Sequence, residues 1–404
     1  MHIMQKTLSR RITKLKRSYQ KARFNWGLNR QTRSRREIVL KEAEVALSQQ
    51  NILESEAAYA QSHDPLVIQG HALQLQILQA FSRVFTGKSN ERILIQVPSP
   101  SSSPAGYSLF SNLVESLNFI GIPSQALGWD EDSKQVIESF NPTTLLSSDH
   151  HTYLERIDWQ HIQRYKVSHS LKVGLTASLA EYDNSPLAGR LQWAKIHGID
   201  FFYSFRDEAY FNTRLEYKPF FEAGYQILSI PFGANILCYY PVPNIPKDLN
   251  YALMASRKRE HISYMAQIAR KYSGFIDGPG WNHIQNFTFN RQRDRYIYAR
   301  ANIGLNIHLP EQLEWACELN ERTYQLAACG LPQLIDRPLL LNKVFQEDMV
   351  FSAANPKEFT ELFEYILKYS EIAQAKALKA QKEVFTKHTT FHRAASFIEQ
   401  LRLI

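Results

Sequence analysis

Two basic segments of the chain have residue types and positions that suit phosphate binding. The first contains Asn320 and Arg322, which precede a run of small and apolar residues and so are predicted to begin a helix that ends at Gly330. A helix N-terminus carries unpaired N–H groups and partial positive charge, and a neighbouring arginine can donate two parallel hydrogen bonds to an oxyanion. This segment therefore predicts a phosphate site at a helix start.

The second basic segment is residues 256–259, which contain Arg257 and Arg259. It follows a predicted strand at residues 251–255 and opens a predicted helix from about residue 260 to residue 272. Cations at a helix start oppose the helix dipole, and a bound phosphate would remove that conflict. A solvated turn is the alternative. If both basic segments face one crevice, they supply the two cationic sites that a diphosphate needs.

Candidate general bases follow two other predicted strands. Asp149 and His150 come after the run at residues 143–148, and Asp183 comes after the run at residues 173–178. Either a histidine or an aspartate can accept a proton in general base catalysis. The alternatives are a polar loop that caps the next helix in the first case and a plain turn in the second, and both remain open.

The sequence offers no convincing metal site. The acidic triplet at residues 130–132 has the Asp-x-Asp spacing of some metal sites, but no further ligands accompany it, and we interpret it as surface charge. Cys238, Cys317 and Cys329 are scattered without the spacing of metal ligands. Free cysteines of this kind fit a reducing compartment. We therefore predict no metal and no cofactor.

Length and composition indicate a globular protein of two domains. The chain has 404 residues, of which 44% are hydrophobic and 21% charged, and this length exceeds one ordinary core. It has no apolar run of the 18 or so residues that span a membrane, and it begins without the apolar stretch of a signal peptide. We therefore expect a cytoplasmic protein.

The positive charge is concentrated at the N-terminus. Residues 1–40 hold 12 lysines and arginines and one acid, so this segment is strongly basic although the net charge of the whole chain is only +8. Within residues 3–26 the apolar side chains form one helical stripe among the cations. Such a helix suits an anionic membrane surface, which would place the protein at the inner face of a membrane. The alternative is a helix that packs on the body or on another copy. Nucleic acid is a poor match because aromatic residues are few.

Alternating strand and helix patterns indicate parallel α/β packing in both halves of the chain. We predict a basic helical extension at residues 1–88, a first Rossmann-like domain at residues 89–240 and a second at residues 241–386. A proline-rich linker at residues 239–246 separates the two domains. In such sheets ligands bind at the carboxyl ends of the strands.

Six segments of the chain resemble those of the GT-B glycosyltransferases, in the CgeB-like spore-maturation branch. The resemblance covers about residues 90–404 and leaves out the N-terminal arm, and the segment at residues 320–336 is the most specific. The six segments are residues 230–235, 256–259, 278–281, 301–307, 320–336 and 388–393.

The resemblance implies an α/β fold of GT-B type, with two Rossmann-like domains facing a cleft and a C-terminal helix at about residues 387–404 that completes the first domain. It implies a hexosyltransferase-like enzyme that moves a sugar from a nucleotide-sugar donor to an acceptor hydroxyl on a glycan, a lipid-linked glycan or a protein, without a metal. A non-catalytic binding or assembly protein and a sugar-nucleotide epimerase on the same scaffold are the alternatives.

The resemblance also assigns residues to the donor. Arg322 would contact the diphosphate, with Arg259 as a second contact. Gln325 stands where the family usually has the glutamate that binds the ribose hydroxyls, which is a departure. The acceptor would enter from the first domain, where Asp149, His150 or Asp183 would be the base of an inverting enzyme. The predicted nucleotide-sugar-binding set is Arg257, Arg259, Gly278, Trp281, Asn320, Arg322, Gln325 and Gly330.

Overall fold

Two all-parallel β-sheets organise the chain in this computed structural model, which describes residues 18, 33–178, 187–281, 284 and 286–404. Contacts divide the chain into two compact domains. The first domain comprises residues 72–238, 314–325 and 383–404, and the second comprises the residues up to 71 together with residues 239–313 and 326–382. The basic arm at residues 3–26, apart from residue 18, and the segment around Asp183 lie outside the described residues.

The first domain contains a six-stranded sheet of order β2-β1-β3-β4-β5-β6. Most of its strands are short continuous apolar runs because both faces of a parallel sheet are covered by helices. Residue Ile93 of β1 pairs with Ser124 of β2 and with Thr144 of β3. The strands are β1 Ile93–Val97, β2 Ser124–Gly128, β3 Thr144–Ser147, β4 Lys172–Thr176, β5 Phe201–Ser204 and β6 Ile227–Ser229.

The helices of the first domain cover this sheet. Helix Pro104–Ile120 packs on β1 and β2 and also on the C-terminal helix Thr390–Leu401, which returns from the far end of the chain. A buried hydrogen bond of 2.7 Å joins Ser116 to Thr390 across that contact. The other helices of this domain are Ser133–Phe140, His151–Leu154, Trp159–Ser168, Leu187–His197, Glu208–Thr213, the 3₁₀ turn Leu215–Tyr217 and Lys218–Glu222.

The second domain contains a five-stranded sheet of order β11-β10-β9-β7-β8. In each sheet the strand order reverses beside the first strand, between β1 and β3 and between β7 and β9. A ligand crevice opens outside the carboxyl ends of the strands at such a reversal. The strands are β7 Leu249–Met254, β8 Gly274–Asp277, β9 Ala301–Asn306, β10 Gln333–Asp336 and β11 Phe351–Ala353.

The helices of the second domain include most of the described N-terminal extension. Helix Arg33–Ser48 packs on helix Arg291–Ala299 and on β8, so these residues belong to the second domain and do not form a separate unit. The remaining helices that lie wholly or partly in this domain are Gln50–Leu53, Glu56–Ala60, Pro65–Phe81, Arg259–Lys271, Pro310–Glu314, Glu321–Ala328, Leu341–Val344, Pro356–Lys368 and Ser370–Lys387.

One local expectation differs from the structure. The sequence indicates a single helix of the extension from about residue 36 to residue 60, but it is broken into three pieces, the last of which begins where Ser55 accepts a hydrogen bond from the backbone N–H of Ala58. In the proline-rich linker, Tyr239, Tyr240 and Val242 are all buried. Within the described residues, no helix is both long and apolar enough to cross a membrane.

Candidate functional site

The loop that leaves β7 in the second domain is shaped by a glycine at the end of β8. Gly278 has a φ of +139°, and a Cβ placed there would lie 2.2 Å from the carbonyl oxygen of Ala255. No other residue type can occupy this position without moving the loop, because only glycine tolerates both the angle and the close approach. Gly278, one of the predicted site residues, therefore packs directly against Ala255, which begins the loop that contains residues 256–259.

Two hydrogen bonds hold the same loop on its other side. The indole Nε1 of Trp281 donates to the carbonyl of Ala255 at 2.8 Å, and the backbone N–H of Arg257 donates to the carbonyl of Pro279 at 2.8 Å. Trp281 is itself buried. The structure thus brings two predicted segments, residues 256–259 and 278–281, into one assembly at the carboxyl edge of the second sheet.

Arg257 has an unsatisfied donor in this assembly. Its side chain is partly buried, and its Nε is buried with no hydrogen-bond partner among the described residues. A buried donor without a partner costs about 1–3 kcal/mol. An oxyanion held by this loop would supply the missing acceptor. Arg259, by contrast, is exposed as the first residue of helix Arg259–Lys271.

Neighbouring strands of the second sheet end in a buried polar pair that the sequence reasoning missed. The backbone N–H of His308 donates to Asp336 Oδ2 at 2.6 Å, and the His308 Nδ1 lies 2.6 Å from Asp336 Oδ1. Both side chains are buried. The rule that chemistry collects at strand exits could have singled out His308, because it follows β9 by two residues.

The helix start at residue 320 is confirmed. The side chain of Asn320 accepts a hydrogen bond from the N–H of Thr323 at 3.1 Å, as a capping residue does. The helix Glu321–Ala328 ends where Gly330 adopts a φ of +71°. A Cβ at Gly330 would lie 2.9 Å from Gln381 Nε2 and 3.1 Å from the Leu66 Cβ. The predicted close packing at Gly330 is therefore present.

Glu321 holds the start of this helix to the first domain. Its carboxylate accepts a hydrogen bond from Asn112 Nδ2 at 2.9 Å. The Oδ1 of Asn112 in turn accepts from Asn235 Nδ2 at 2.9 Å, and Asn235 also donates to Glu115 at 2.6 Å. A carboxylate at a helix start is favoured by the helix dipole. This network, which the sequence reasoning did not anticipate, fixes the segment that carries Arg322.

Two further segments of the resemblance meet in the first domain. The backbone of Ala234 bonds to His388 and to Thr390, at 2.9 Å in each case. A Cβ on Gly233 would lie 2.7 Å from the His388 carbonyl. Residues 230–235 and 388–393, more than 150 positions apart, therefore form one structural element.

Arg393 joins that element to the helix Glu321–Ala328. Its Nε donates to the carbonyl of Phe232 at 3.2 Å, its Nη2 donates to His388 Nδ1 at 2.7 Å, and its guanidinium lies near the Tyr324 hydroxyl. Burial raises the pKa of Tyr324 to about 12. Burial also lowers the pKa of His388 to about 3 and that of His392 to about 4, and the nearby Arg393 charge adds to both shifts.

Arg322 and Gln325 lie on this same segment of the first domain. Arg322 is half-buried and Gln325 is buried. Arg257 belongs to the second domain and Arg322 to the first, and the prediction that both face one crevice stays a prediction.

Asp149 is fully engaged in hydrogen bonds. Its carboxylate accepts from Thr176 Oγ1 at 2.7 Å, from the N–H and Oγ of Ser178 at 3.2 and 2.5 Å, and from Arg190 at 3.1 Å. Both partners of the Arg190 ion pair are buried. This arrangement organises the exits of β3 and β4. A base needs a free lone pair directed at a substrate, and these bonds leave little capacity for that role.

His150 is the more accessible of the two described candidate bases. It is half-buried, and its Nδ1 accepts from the N–H of Thr152 at 3.3 Å, so that it caps helix His151–Leu154. The capping alternative therefore matches the geometry. Asp183, the third candidate, lies outside the described residues.

In the part of the chain that the structure describes, no three His, Cys, Asp or Glu side chains converge as metal ligands. In the acidic triplet, Asp132 caps helix Ser133–Phe140 by accepting from the N–H of Lys134 at 2.9 Å.

Residues 234–399 match the family model described as "Glycosyl transferase-like". The match includes the β7 exit loop and the helix Glu321–Ala328. No curated protein matches the sequence.

Solved glycosyltransferase structures share the fold of this chain. HepE of Anabaena, in complex with UDP and glucose, aligns with a TM-score of 0.52 at 10% identity, covering 78% of this chain and 100% of its own. An α-glucosyltransferase in complex with UDP-glucose and DNA aligns with a TM-score of 0.51 at 11% identity, covering 78% of this chain and 99% of its own. The sucrose-phosphate synthase of Thermosynechococcus elongatus aligns with a TM-score of 0.50 at 15% identity, covering 77% of this chain and 99% of its own. The predicted fold class, α/β of GT-B type with two parallel-sheet domains, is confirmed.

Proposed function

We propose that this protein is a glycosyltransferase that moves a sugar from a nucleotide-sugar donor to an acceptor hydroxyl. The observation that carries the proposal is the β7 exit loop, in which the Arg257 Nε has no partner among the residues that the structure describes and lies at the strand-order reversal of the second sheet. This loop lies within the segment that matches the glycosyltransferase family model.

In the proposed donor complex, phosphate oxygens of the donor accept hydrogen bonds from Arg257. Gly278 and Trp281 keep the loop in the conformation that presents it. Arg322 is proposed as a further diphosphate contact, and Gln325 as the ribose contact that binds through its amide oxygen. The related folds were solved with UDP or UDP-glucose, so uridine nucleotides are the first to test.

The proposed reaction breaks the bond between the anomeric carbon and the donor's diphosphate oxygen, which keeps the electron pair. The acceptor oxygen forms the new bond to that carbon and loses its proton. Guanidinium groups and helix N-termini stabilise the charge that develops on the leaving diphosphate, without a metal. In an inverting enzyme His150 is the described residue better suited to take the proton, since Asp149 is held by Arg190.

The acceptor is proposed to be a hydroxyl on a glycan, a lipid-linked glycan or a protein, presented by the first domain. A hexose is the proposed sugar, and the CgeB-like branch is the proposed family branch. The basic arm at residues 3–26 would bring the enzyme to the cytoplasmic face of a membrane, because its cations would attract anionic lipids.

Thermal stabilisation by nucleotides tests the donor site. The protein would be heated with UDP, ADP, GDP, dTDP and their glucose conjugates, because ligands that bind the folded state raise its melting temperature. The melting temperature of the wild-type protein is expected to rise with the nucleotides of one base. Arg257→Ala is expected to lose the shift, whereas Arg270→Ala, an exposed change at the other end of helix Arg259–Lys271, is expected to keep it.

The outcomes also separate the alternatives. No shift with any nucleotide would favour a non-catalytic binding protein. Conversion of the donor sugar to its epimer without any transfer to an acceptor would favour an epimerase. Release of the nucleoside diphosphate that depends on added acceptor would support transfer.

A further inference from the structure

The extension that precedes the two α/β domains places one buried arginine at the carboxyl edge of the second sheet. Nε and Nη2 of Arg36 both donate to Asp277 Oδ1, at 3.0 and 2.9 Å. The side chains are only 9% and 4% exposed. A buried ion pair is stabilising only while both partners are present, since either charge left alone in the interior is costly.

Asp277 transmits this contact to the β7 exit loop. It is the last residue of β8, and its Oδ1 also accepts the backbone N–H of Gly278 at 2.9 Å. The carbonyl of Asp277 accepts the N–H of Ala255 at 2.8 Å. Arg36 therefore holds Asp277, and Asp277 bonds both to Gly278 and to Ala255, the first residue of the loop that carries Arg257.

A second buried acid makes the charge of Arg36 important. Asp294 is buried beside this region, and burial raises its pKa to about 6, while Arg293 opposes the rise and Asp277 adds to it. Arg293 is bonded to Asp294 at 3.0 Å. Without Arg36 the Asp277 carboxylate would lose the guanidinium that holds it, and it would be expected to move.

The neighbouring ion pair on the same helix provides a contrast. Arg35 bonds to Asp248, which precedes β7 and so lies at the amino end of the sheet, and both side chains are more than a third exposed. Loss of that pair would remove a surface contact without touching the loop. Arg35 and Arg36 are adjacent in sequence, carry the same charge and attach the same helix, but at opposite ends of the strands.

We propose that Arg36 is a positioning residue for donor binding, which holds Asp277 and thereby Gly278 and the Arg257 loop. The inference rests on the proposed function. It assigns the extension a role in donor binding, because Arg36 belongs to the extension. Arg36 lies outside residues 234–399, the segment that matches the family model, so the positioning contact comes from a part of the chain that this match does not cover.

The experiment titrates UDP, ADP and GDP into full-length protein by calorimetry, well below the melting temperature of each variant. Arg36→Ala is expected to weaken binding of the nucleotide that wild type prefers by about tenfold, which corresponds to about 1.4 kcal/mol. The nucleotide affinity of Arg36→Lys is expected to lie between those of wild type and Arg36→Ala. Arg35→Ala is expected to bind the nucleotide like wild type. With the intact donor as substrate, Arg36→Ala should raise KM more than it lowers kcat.

A second pair of variants covers the case in which Arg36→Ala does not fold. Arg36→Gln with Asp277→Asn replaces the ion pair by an amide pair, in which the Asn side-chain oxygen remains an acceptor for the Gly278 N–H and neither member of the pair is charged. The double variant is expected to bind the nucleotide more tightly than Arg36→Gln alone. Equal affinities in wild type, Arg36→Ala or Arg36→Lys, and the double variant would overturn the inference and leave the proposed function standing. Absence of binding in wild type would overturn the proposed function, and the inference with it.

Discussion

Arg393 donates a hydrogen bond to Nδ1 of His388 at 2.7 Å, a bond that only a neutral imidazole can accept. The Nε2 of the same ring lies 3.5 Å from Glu383, which is too long to offset the effect of burial and of the Arg393 charge. His392 is neutral for the same reasons, and its ring bonds to Thr389. The segment at residues 388–393 therefore holds two histidines that stay uncharged at neutral pH.

Acid is expected to destabilise the protein through these two histidines. The folded-state pKa values, about 3 for His388 and about 4 for His392, lie below the ordinary value of 6.5. The folded state therefore binds fewer protons than the unfolded state, so stability is complete above pH 6.5 and is lost as the pH falls towards 4 and 3. The upper limit is about 1.4 kcal/mol per pH unit for each histidine.

Denaturant unfolding between pH 7 and pH 4 measures this loss. His388→Asn keeps an acceptor for Arg393 but cannot titrate, so its stability should fall less steeply with acid than that of wild type. His63→Asn, at an exposed histidine, should follow wild type. Parallel curves for all three proteins would contradict the assignment.

Two tyrosine-to-phenylalanine changes are expected to differ in sign. The Tyr324 hydroxyl lies near the Arg393 guanidinium, so Tyr324→Phe removes a polar group that faces this charge and should destabilise by about 1–3 kcal/mol. The Tyr251 hydroxyl is buried without a partner among the described residues, so Tyr251→Phe should be neutral or stabilising. Urea unfolding of both variants makes the comparison, and equal losses of stability would count against it.

Glycine positions are expected to differ in their tolerance of alanine. Gly278→Ala would place a Cβ against the Ala255 carbonyl in a backbone conformation that favours glycine, so it should displace the Arg257 loop and abolish nucleotide binding. Gly189→Ala, inside helix Leu187–His197 with open space around it, should gain about 1 kcal/mol of stability. Nucleotide titration and thermal melting of both variants test this, and normal binding by Gly278→Ala would contradict the placement of the site.

Substitutions at Asp149 and His150 are expected to have different effects, the first on stability and the second on turnover. Asp149→Asn removes one charge of the buried Asp149–Arg190 ion pair and should destabilise by about 3–5 kcal/mol. His150→Asn keeps a good helix cap but removes the base, so it should keep its melting temperature. If the enzyme inverts, His150→Asn should lower kcat by about 10²–10⁴-fold. Unchanged turnover in His150→Asn would remove it from the candidate bases.

The strands could be predicted well from the sequence. The strands predicted at residues 143–148 and 251–255 match β3 and β7 with ends that differ by one or two residues, because fully buried parallel strands are short apolar runs between turn residues. The helix start at Asn320 and the exit at Gly330 were found for a similar reason, since capping residues act on their own neighbours in the chain.

The supporting contacts of the site could not be predicted in the same way. Arg36 meets Asp277 across 241 positions, and Asn112 meets Glu321 across 209. No local pattern encodes such pairs, because they depend on how the sheets and helices pack. For the same reason the sequence did not indicate that ion pairs such as Arg36–Asp277 attach the extension to the second domain.

A crystal structure of the protein with its preferred nucleoside diphosphate tests the central claim most directly. The account predicts phosphate oxygens within hydrogen-bond distance of the Arg257 Nε, beside Gly278, with the loop unchanged. A diphosphate bound elsewhere, with the Arg257 Nε still unpaired, would contradict it.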